Sequence, residues 1–165
     1  MTSPWQPSDR ADPRALPLAD RHYNRQSIGS PQFVPPGRCL VLLGPLADRL
    51  WVTSWPFAEY VKHRWAGAWV NSLFRNESDW LSSDLIAHAV AATRARWTPP
   101  PLGIISFIDA AQVRHKRDPG RCYRKAGWTH VGFSEGGLWC YQQLPHEMPA
   151  PDFSLASPLF ASAND

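Results

Sequence analysis

One stretch of the chain, residues 81–108, decides the expected fold: LSSDLIAHAVAATRARWTPPPLGIISFI. Its first half is predicted to be a helix, because apolar side chains recur at the spacing of one helical face. Ser82 is the expected helix cap, Asp84 lies in the first turn, and Leu81 is positioned to form a hydrophobic staple with Ile86. The residues of the helical face are Ile86, Ala89, Val90, Thr93 and Trp97.

The second half of this stretch predicts a buried strand. Residues 99–101 are three prolines, which end the helix because proline lacks the backbone donor that a helix needs. Residues 102–108 are then almost continuously apolar, which is the pattern of a strand covered on both faces. Asp109 follows, at the end of the strand where open sheets commonly hold ligand-binding groups.

Shorter apolar runs on both sides of this stretch extend the sheet. A Gly127 that can adopt a left-handed cap closes a second, short helix, and residues 135–137 carry the signal of a hairpin turn. The predicted order, β-β-β-α-β-α-β-β, indicates an α/β (α+β) fold with a mixed central sheet and helices on both faces. Besides residues 102–108, strands are predicted at 39–43, 50–55, 68–74, 129–133 and 138–143, and the short helix at about 120–126.

Both ends of the chain are rich in proline, which disfavours helices and sheet ladders. We therefore predict an extended or disordered segment at residues 1–20, a single domain at 21–143 and a proline-rich tail at 144–165. Removing residues 1–18 and 148–165 is then expected to leave folding intact.

Composition suits one globular domain, with 165 residues of which 44% are hydrophobic. No run of 18 uncharged apolar residues is present, so no membrane span is predicted, and a cytoplasmic location is expected because the N-terminal sequence does not resemble a signal peptide. Cys39, Cys122 and Cys140 are odd in number and far apart, which favours buried thiols over a disulfide or zinc site.

Positive charge is concentrated in the centre of the chain. Residues 21–143 hold 15 of the 17 Lys and Arg but 8 of the 14 Asp and Glu, so this segment carries +7 and the two ends together carry −4. Such a distribution points to a polyanionic partner, although a soluble basic surface explains it equally well. Six cations fall within twelve residues, namely Arg114, Lys116, Arg117, Arg121, Arg124 and Lys125.

The common motifs for metal, nucleophile and phosphate-loop chemistry are missing. The segment from Phe74 to Ser83 lacks the spaced glycines that would let backbone amides approach a pyrophosphate at a helix N-terminus. This argues against coenzyme A bound in the pose usual for acyltransferases.

The element order and the segment Cys122–Trp128 resemble the GNAT acyltransferase fold, in which a late helix carries an aromatic-x-x-x-Gly-aromatic pattern. Together with residues 21–25 (Arg-His-Tyr-Asn-Arg), 70–77 (Val-Asn-Ser-Leu-Phe-Arg-Asn-Glu) and 81–86 (Leu-Ser-Ser-Asp-Leu-Ile), this segment resembles the Mom family of bacteriophage DNA-modification proteins over roughly residues 21–143. Members of that family are GNAT-like enzymes that place a carbamoylmethyl group on the exocyclic amine of adenine in DNA, which protects phage DNA from host restriction.

The resemblance implies functional roles for five residues: His22, Tyr23, Arg75, Asp109 and Tyr123. Each also has a structural alternative, such as a core tyrosine, a surface histidine, a local ion pair of Arg75 with its neighbours, or a turn-capping aspartate. In the proposed roles, Asp109 accepts a proton or orients the amine, Tyr23 is a donor or acid, and His22 is a further catalytic residue. The expected donor-binding residues are Arg75, Tyr123, Ser82 and Ser83.

The resemblance also implies partners and cofactors. The expected partner is double-stranded DNA in the cytoplasm of a bacterial host, and the candidates for binding it are Arg25, Lys62, Arg64, Arg114, Lys116 and Arg117. The donor is left open among a glycyl thioester, glycyl-tRNA and an acyl-CoA. An iron site made by His22, Tyr23 and Asp109, a tRNA partner and a homodimer are also left open. The alternative functions are an ordinary GNAT N-acetyltransferase acting on a small molecule or protein with acetyl-CoA, and a nucleic-acid-binding module without catalysis.

Overall fold

The computed structural model describes residues 3–22, 28–111 and 118–155. In this part of the chain, three helices and seven strands form an α+β fold with a mixed, mostly antiparallel open sheet. The strands are β1 (Gln6–Ser8), β2 (Arg38–Leu43), β3 (Arg49–Trp55), β4 (Trp69–Asn76), β5 (Ile104–Ile108), β6 (Thr129–Phe133) and β7 (Trp139–Gln143). The helices are α1 (Leu16–Asp20), α2 (Ser82–Arg96) and α3 (Arg121–Lys125), with 3-10 turns at Ala58–Tyr60, Pro145–Glu147 and Phe153–Leu155. None of these helices is long and apolar enough to cross a membrane.

The sheet has the strand order β1-β2-β3-β4-β5-β7-β6, and β4 with β5 is its parallel pair. Side chains alternate between its two faces, as they must along a strand. In β2, Leu40 and Leu42 pack in the cluster that holds α2 and α3, whereas Val41 and Leu43 pack in the cluster that holds α1. This confirms the predicted mixed sheet. The two predicted helices, α2 and α3, pack on the same face, and the helix on the other face, α1, was not predicted.

Helix α2 buries the face that the sequence predicts, with Ile86, Ala89, Val90 and Thr93 all inaccessible to solvent. Its predicted start is wrong by one residue. Leu81 is the N-cap and lies 67% exposed, so the staple is absent, and Ser82 is the first helical residue. The Ser82 hydroxyl instead accepts a hydrogen bond from Asn76, which satisfies it outside the helix.

The predicted extended or disordered N-terminal segment is wrong for residues 3–20. Trp5 is 1% exposed, and its indole Nε1 donates to the carbonyl of Leu85 at 3.0 Å. Leu18 is fully buried in the cluster beneath α1. The prolines fit these elements because Pro7 lies on the edge strand β1 and Pro17 lies in the first turn of α1, and proline is tolerated at both positions.

The predicted C-terminal tail is also wrong as far as residue 155. Met148 is 8% exposed and packs in the cluster beneath α2. The Asp152 amide donates to the carbonyl of Ala91 at 3.0 Å, and the Arg94 side chain donates to the carbonyl of Pro149 at 2.8 Å. Backbone of this segment therefore contacts α2, so a cut at residue 148 would remove part of the packed structure.

The expectation for the cysteines is confirmed in two cases. Cys39 and Cys140 are buried and unbridged, and Cys122 is half-buried. Burial raises the pKa of the Cys140 thiol to about 12, because the charged thiolate is poorly solvated there. Cys140 is therefore a small core residue rather than a nucleophile.

Acid is expected to weaken the N-terminal segment. Asp12 accepts hydrogen bonds from the Arg14 side chain at 2.9 Å and from Ser8 at 2.7 Å, and Arg14 is the main cause that lowers the Asp12 pKa from 3.8 to about 2. Because the folded-state pKa is depressed, this stabilisation is complete above pH 4 and is lost as the pH falls towards 2. After allowance for the exposed Arg14 partner, it amounts to about 1 kcal/mol.

Urea unfolding of the wild type and Asp12→Asn at pH 5.5 and at about pH 2.5 measures this contribution. The wild type should be more stable than Asp12→Asn at the higher pH, and the gap should narrow at the lower pH, where the carboxyl begins to be protonated in the folded state. A gap that is the same at both pH values would contradict the assignment to the Asp12 carboxylate.

Candidate functional site

The two parallel strands pair over a short distance and then diverge. Pairing of β4 with β5 is confined to Trp69 with Ile104 and Val70 with Ile105, although β4 continues to Asn76. A β-bulge on the other side of β4 places Ser72 as an extra residue opposite β3. Bulges bend a strand and re-aim its side chains, so this one contributes to the divergence.

A cleft of about 420 Å³ opens where the strands separate. Its walls are residues 70–74 of β4, Ser106 and Phe107 of β5, and Tyr123 of α3. His22, Asp109 and Leu138 complete the lining. The cleft therefore collects side chains from five separate segments at the carboxyl ends of the two parallel strands, where open sheets usually bind ligands.

The floor of the cleft is a buried polar network around Asn71. Its side-chain Nδ2 donates to the carbonyls of Val52 at 3.1 Å and Leu73 at 2.9 Å. Both amide protons are thus used, and this fixes Oδ1 as the acceptor for the Tyr123 hydroxyl at 2.6 Å. The Ser106 hydroxyl lies 3.2 Å from the same Oδ1 and 3.3 Å from the Tyr123 oxygen. The three side chains therefore form one hydrogen-bonded group at the floor of the cleft.

Helix α3 is held in place by the residues that flank it. Gly120 has a φ of +80°, and a Cβ there would overlap the Tyr141 ring, so only glycine fits this entry to the helix. Gly127 ends the helix with a φ of +92°, which confirms the predicted left-handed cap. The Tyr123 ring packs against Trp128 at a centroid distance of 5.0 Å. These contacts fix the position of the Tyr123 hydroxyl at the cleft floor.

Two residues with predicted catalytic roles, Asp109 and His22, lie on the same cleft. Asp109 Oδ1 also accepts the Ala111 amide at 3.1 Å, so the capping alternative is confirmed while the carboxylate still lines the cleft. His22 follows α1, and its amide donates to the carbonyl of Ala19. Tyr23, the third predicted catalytic residue, lies outside the described residues.

The possible iron site of His22, Tyr23 and Asp109 is not tested, because Tyr23 lies outside the described residues. Across residues 3–22, 28–111 and 118–155, no three His, Cys, Asp or Glu side chains group closely enough to hold a metal ion. The site involving Tyr23 stays a prediction, since that residue is not among them.

Arg75, predicted to bind the donor, is engaged in a local network instead of lining the cleft. Its Nε lies 2.9 Å from the carboxylate of Glu77, and its Nη1 donates to the carbonyl of Arg21 at 3.2 Å. Arg21 also binds Glu77, through Nε at 2.7 Å. Hydrogen bonding from Arg21 is the main cause that lowers the pKa of Glu77. Partial burial acts in the opposite direction, and the hydrogen bond from Arg75 lowers the pKa further. The ion-pair alternative for Arg75 is confirmed, and the network anchors the backbone next to His22.

Ser82 and Ser83, the other predicted donor-binding residues, lie in the first turn of α2 and do not line the cleft. Several backbone amides of the loop that precedes these serines already donate hydrogen bonds within the protein. The Glu77 amide donates to the carbonyl of Asp48, and the Ser78 amide donates to the side chain of Asn76. A pyrophosphate would have to displace these contacts, which supports the expectation drawn from the missing glycines.

Two of the predicted DNA-binding residues, Lys62 and Arg64, lie exposed on the loop between β3 and β4. Arg64 donates to the carbonyl of Val131 at 2.9 Å, and its guanidinium carbon lies 4.5 Å from the Trp65 ring. The intervening His63 packs on Phe107 of the cleft at 5.1 Å. The other four candidates, Arg25, Arg114, Lys116 and Arg117, lie outside the described residues.

Asn71 and Ser106 are the cleft residues that sequence reasoning did not select. Each interrupts a predicted apolar strand with a polar side chain, and this was the available signal. A polar group inside a buried strand requires a partner, and here the two residues partner each other and Tyr123.

In comparisons with known protein families, curated proteins and solved structures, no match to this chain is found.

Proposed function

We propose that this protein is a GNAT-like transferase that adds a carbamoylmethyl group to the exocyclic amine of adenine in DNA. One observation carries the proposal: segments that resemble the Mom family meet at one cleft. His22 comes from the first segment, residues 70–74 from the second and Tyr123 from the last, and Asp109 joins them there. The third segment is tied to the second by the hydrogen bond between Asn76 and Ser82.

The architecture supports the GNAT-like part of the proposal. A mixed sheet whose central parallel pair diverges into a cleft provides the kind of site in which that fold class brings a donor and an acceptor together. The order of elements from β2 to β7 is the order on which the resemblance rests.

The exocyclic amine of adenine is a weak nucleophile, because its lone pair is delocalised into the ring. It is also inaccessible inside a duplex, so the base must be extruded into the cleft. In our proposal Asp109 accepts a proton from the amine as the new bond forms, and His22, which lines the same cleft, assists this transfer. Holding the amine against the donor supplies most of the remaining rate enhancement.

Tyr123 is proposed to hold the substrate rather than to act as an acid. Its proton is already donated to Asn71 at 2.6 Å, and the Ser106 hydroxyl lies 3.3 Å from its oxygen, so Tyr123 contributes a fixed wall of the cleft against which the substrate would rest. Asn71 would then act as a positioning residue for Tyr123.

For the donor, we propose an activated glycyl group, carried as a thioester or on tRNA. Attack of the exocyclic nitrogen on the glycyl carbonyl breaks the thioester or ester bond, releases the thiol or the tRNA hydroxyl, and gives a glycyl amide of adenine. The free amine of this glycyl group can then attack the adenine ring carbon that carries the amide nitrogen, through a five-membered cyclic intermediate. The amide nitrogen is expelled from that carbon, which yields the isomeric carbamoylmethyl amine. The backbone amides before α2 already donate hydrogen bonds within the protein, which disfavours coenzyme A in its usual pose. The net positive charge of residues 21–143 favours a donor carried on tRNA.

Expression in bacteria followed by nucleoside mass spectrometry of plasmid DNA tests this proposal. We expect a deoxyadenosine that is heavier by the mass of the added group, because every plasmid adenine in a suitable site is exposed to the enzyme. Unaltered nucleosides from cells that contain soluble protein would contradict the proposal. If coenzyme A then bound tightly, an ordinary N-acetyltransferase would be the better assignment.

A further inference from the structure

The hairpin of β6 and β7 carries a row of aromatic rings on one face. His130 lies opposite Tyr141, and Phe133 lies opposite Trp139. Residues 130 and 133 are three apart and would normally face opposite sides of the strand. A bulge between His130 and Gly132 adds one residue and brings both side chains to the same face.

The rings of this row touch one another. His130 stacks on Trp139 with a centroid distance of 5.2 Å and an interplanar angle of 24°. Phe133 meets His130 edge-on at 5.1 Å and meets Trp139 at 6.3 Å. We call His130, Phe133 and Trp139 the aromatic ladder.

Two rings of the aromatic ladder are open to solvent. Phe133 is 58% exposed and His130 is exposed, whereas Trp139 is half-buried against the core. Strand β6 lies at one edge of the sheet. An exposed group of large rings on an edge strand is unusual for a protein surface without a partner.

Cations border the ladder along α3. Arg121 and Lys125 are exposed on this helix. Arg124 pairs with Asp118 and donates at 2.8 Å to the hydroxyl of Tyr141, the ring next to His130. Residues 118–125 thus carry three cations and one anion, a net positive charge that complements phosphates.

One buried ring connects the ladder to the cleft. Tyr141 lies 5.3 Å from His130 of the ladder and stacks at 6.1 Å on Tyr123, which lines the cleft. Tyr123 also lies in the same helix as the bordering cations. The ladder and the cleft are therefore neighbours on the same part of the fold.

We propose that the aromatic ladder is a stacking platform for unpaired bases of a DNA strand whose neighbouring base enters the cleft. Every base offers a π-face to an aromatic ring, and the cations of α3 are positioned to meet the phosphates between the bases. A protein partner fits this surface less well, because the rim is basic and the centre holds flat rings rather than an aliphatic pocket. The choice of DNA as the partner rests on the proposed function.

Fluorescence anisotropy with a labelled single-stranded oligodeoxyadenylate of roughly 12 residues tests the platform. Phe133→Leu should weaken binding at least about fivefold, because it removes a stacking ring. Phe133→Tyr should bind like the wild type, since it keeps the ring. Phe153→Leu is the matched control, because Phe153 is 61% exposed and lies outside the ladder.

The salt dependence separates stacking from charge. Phe133→Leu should leave the slope of log affinity against log salt unchanged, because no phosphate contact is lost. Lys125→Ala should make that slope shallower by about 0.7 for a single strand. Circular dichroism melts should show both variants folded, as expected for exposed residues.

Several results would overturn the platform. The first is that the wild type does not bind the oligonucleotide, and the second is that Phe133→Leu and Phe153→Leu have equal affinities. The third is that Phe133→Tyr loses as much affinity as Phe133→Leu. The plasmid assay keeps this failure distinct from failure of the proposed function. Modified adenine with unchanged binding by Phe133→Leu rejects the platform alone, whereas ring-dependent binding with unmodified adenine rejects the proposed enzyme activity alone.

Discussion

Replacing Trp5 with alanine is expected to lower the free energy of unfolding by about 3 to 5 kcal/mol. Trp5 is 1% exposed, packs in the cluster beneath α2 and donates its indole N–H to the carbonyl of Leu85. Alanine would leave a cavity in that cluster and remove the side-chain hydrogen bond to the Leu85 carbonyl. Since domains of this size are stable by about 5 to 15 kcal/mol, the loss is a large part of the total. Urea unfolding followed by circular dichroism measures it.

Trp80→Ala provides the matched control, because Trp80 is 43% exposed and its removal should cost under about 1 kcal/mol. Deletion of residues 1–18 should have a still larger effect than Trp5→Ala, since it also removes β1 and the buried Leu18. A deletion variant with an unchanged cooperative melt would restore the expectation that these residues are dispensable.

Asp109→Asn is expected to reduce DNA modification at least 100-fold while leaving the fold intact. The asparagine oxygen can still accept the Ala111 amide, so the turn after β5 is preserved. What is lost is the negative charge on the cleft, and with it the group that we propose accepts the proton. Nucleoside mass spectrometry of plasmid DNA at matched protein levels measures the activity, and thermal melting checks the fold.

Asp79→Asn is the control for this prediction, because it removes an equal charge from an exposed aspartate that does not line the cleft. Near-normal modification by Asp109→Asn would show that Asp109 serves only the turn. A lower melting temperature with normal activity per folded molecule would lead to the same conclusion.

The central sheet and the helix α2 were predictable because the strands are apolar runs bounded by turn residues and α2 repeats apolar residues on one face. The strand at residues 129–133 is predicted to the residue, and the others within two residues of their observed ends. The N-terminal elements were missed because they are short and contain proline. β1 has three residues and α1 has five, so local pattern carries little information, and their stability comes from contacts with distant parts of the chain such as Leu85.

The candidate site was predictable only in part. Asp109 and His22 were selected and line the cleft, and Tyr123 was selected and lies at its floor. Asn71 was quoted within a motif without a role, since its importance depends on a hydrogen bond to Tyr123 across 52 positions of sequence. Arg75 was assigned to the donor, but the carboxylate of Glu77 two positions later competes for its guanidinium.

The cleft takes its walls from residues as distant in sequence as His22 and Leu138. An unfolded chain cannot assemble it, so a molecule that fits the cleft binds the native state alone and shifts the folding equilibrium. At a concentration one hundred times its dissociation constant, such a ligand adds about 2.7 kcal/mol of stability. For a chain of this length, that corresponds to a rise in melting temperature of roughly 5 to 10 °C. Thermal melting in the presence of glycyl thioesters, aminoacyl-tRNA or acyl-CoA can therefore rank the candidate donors before any product is detected.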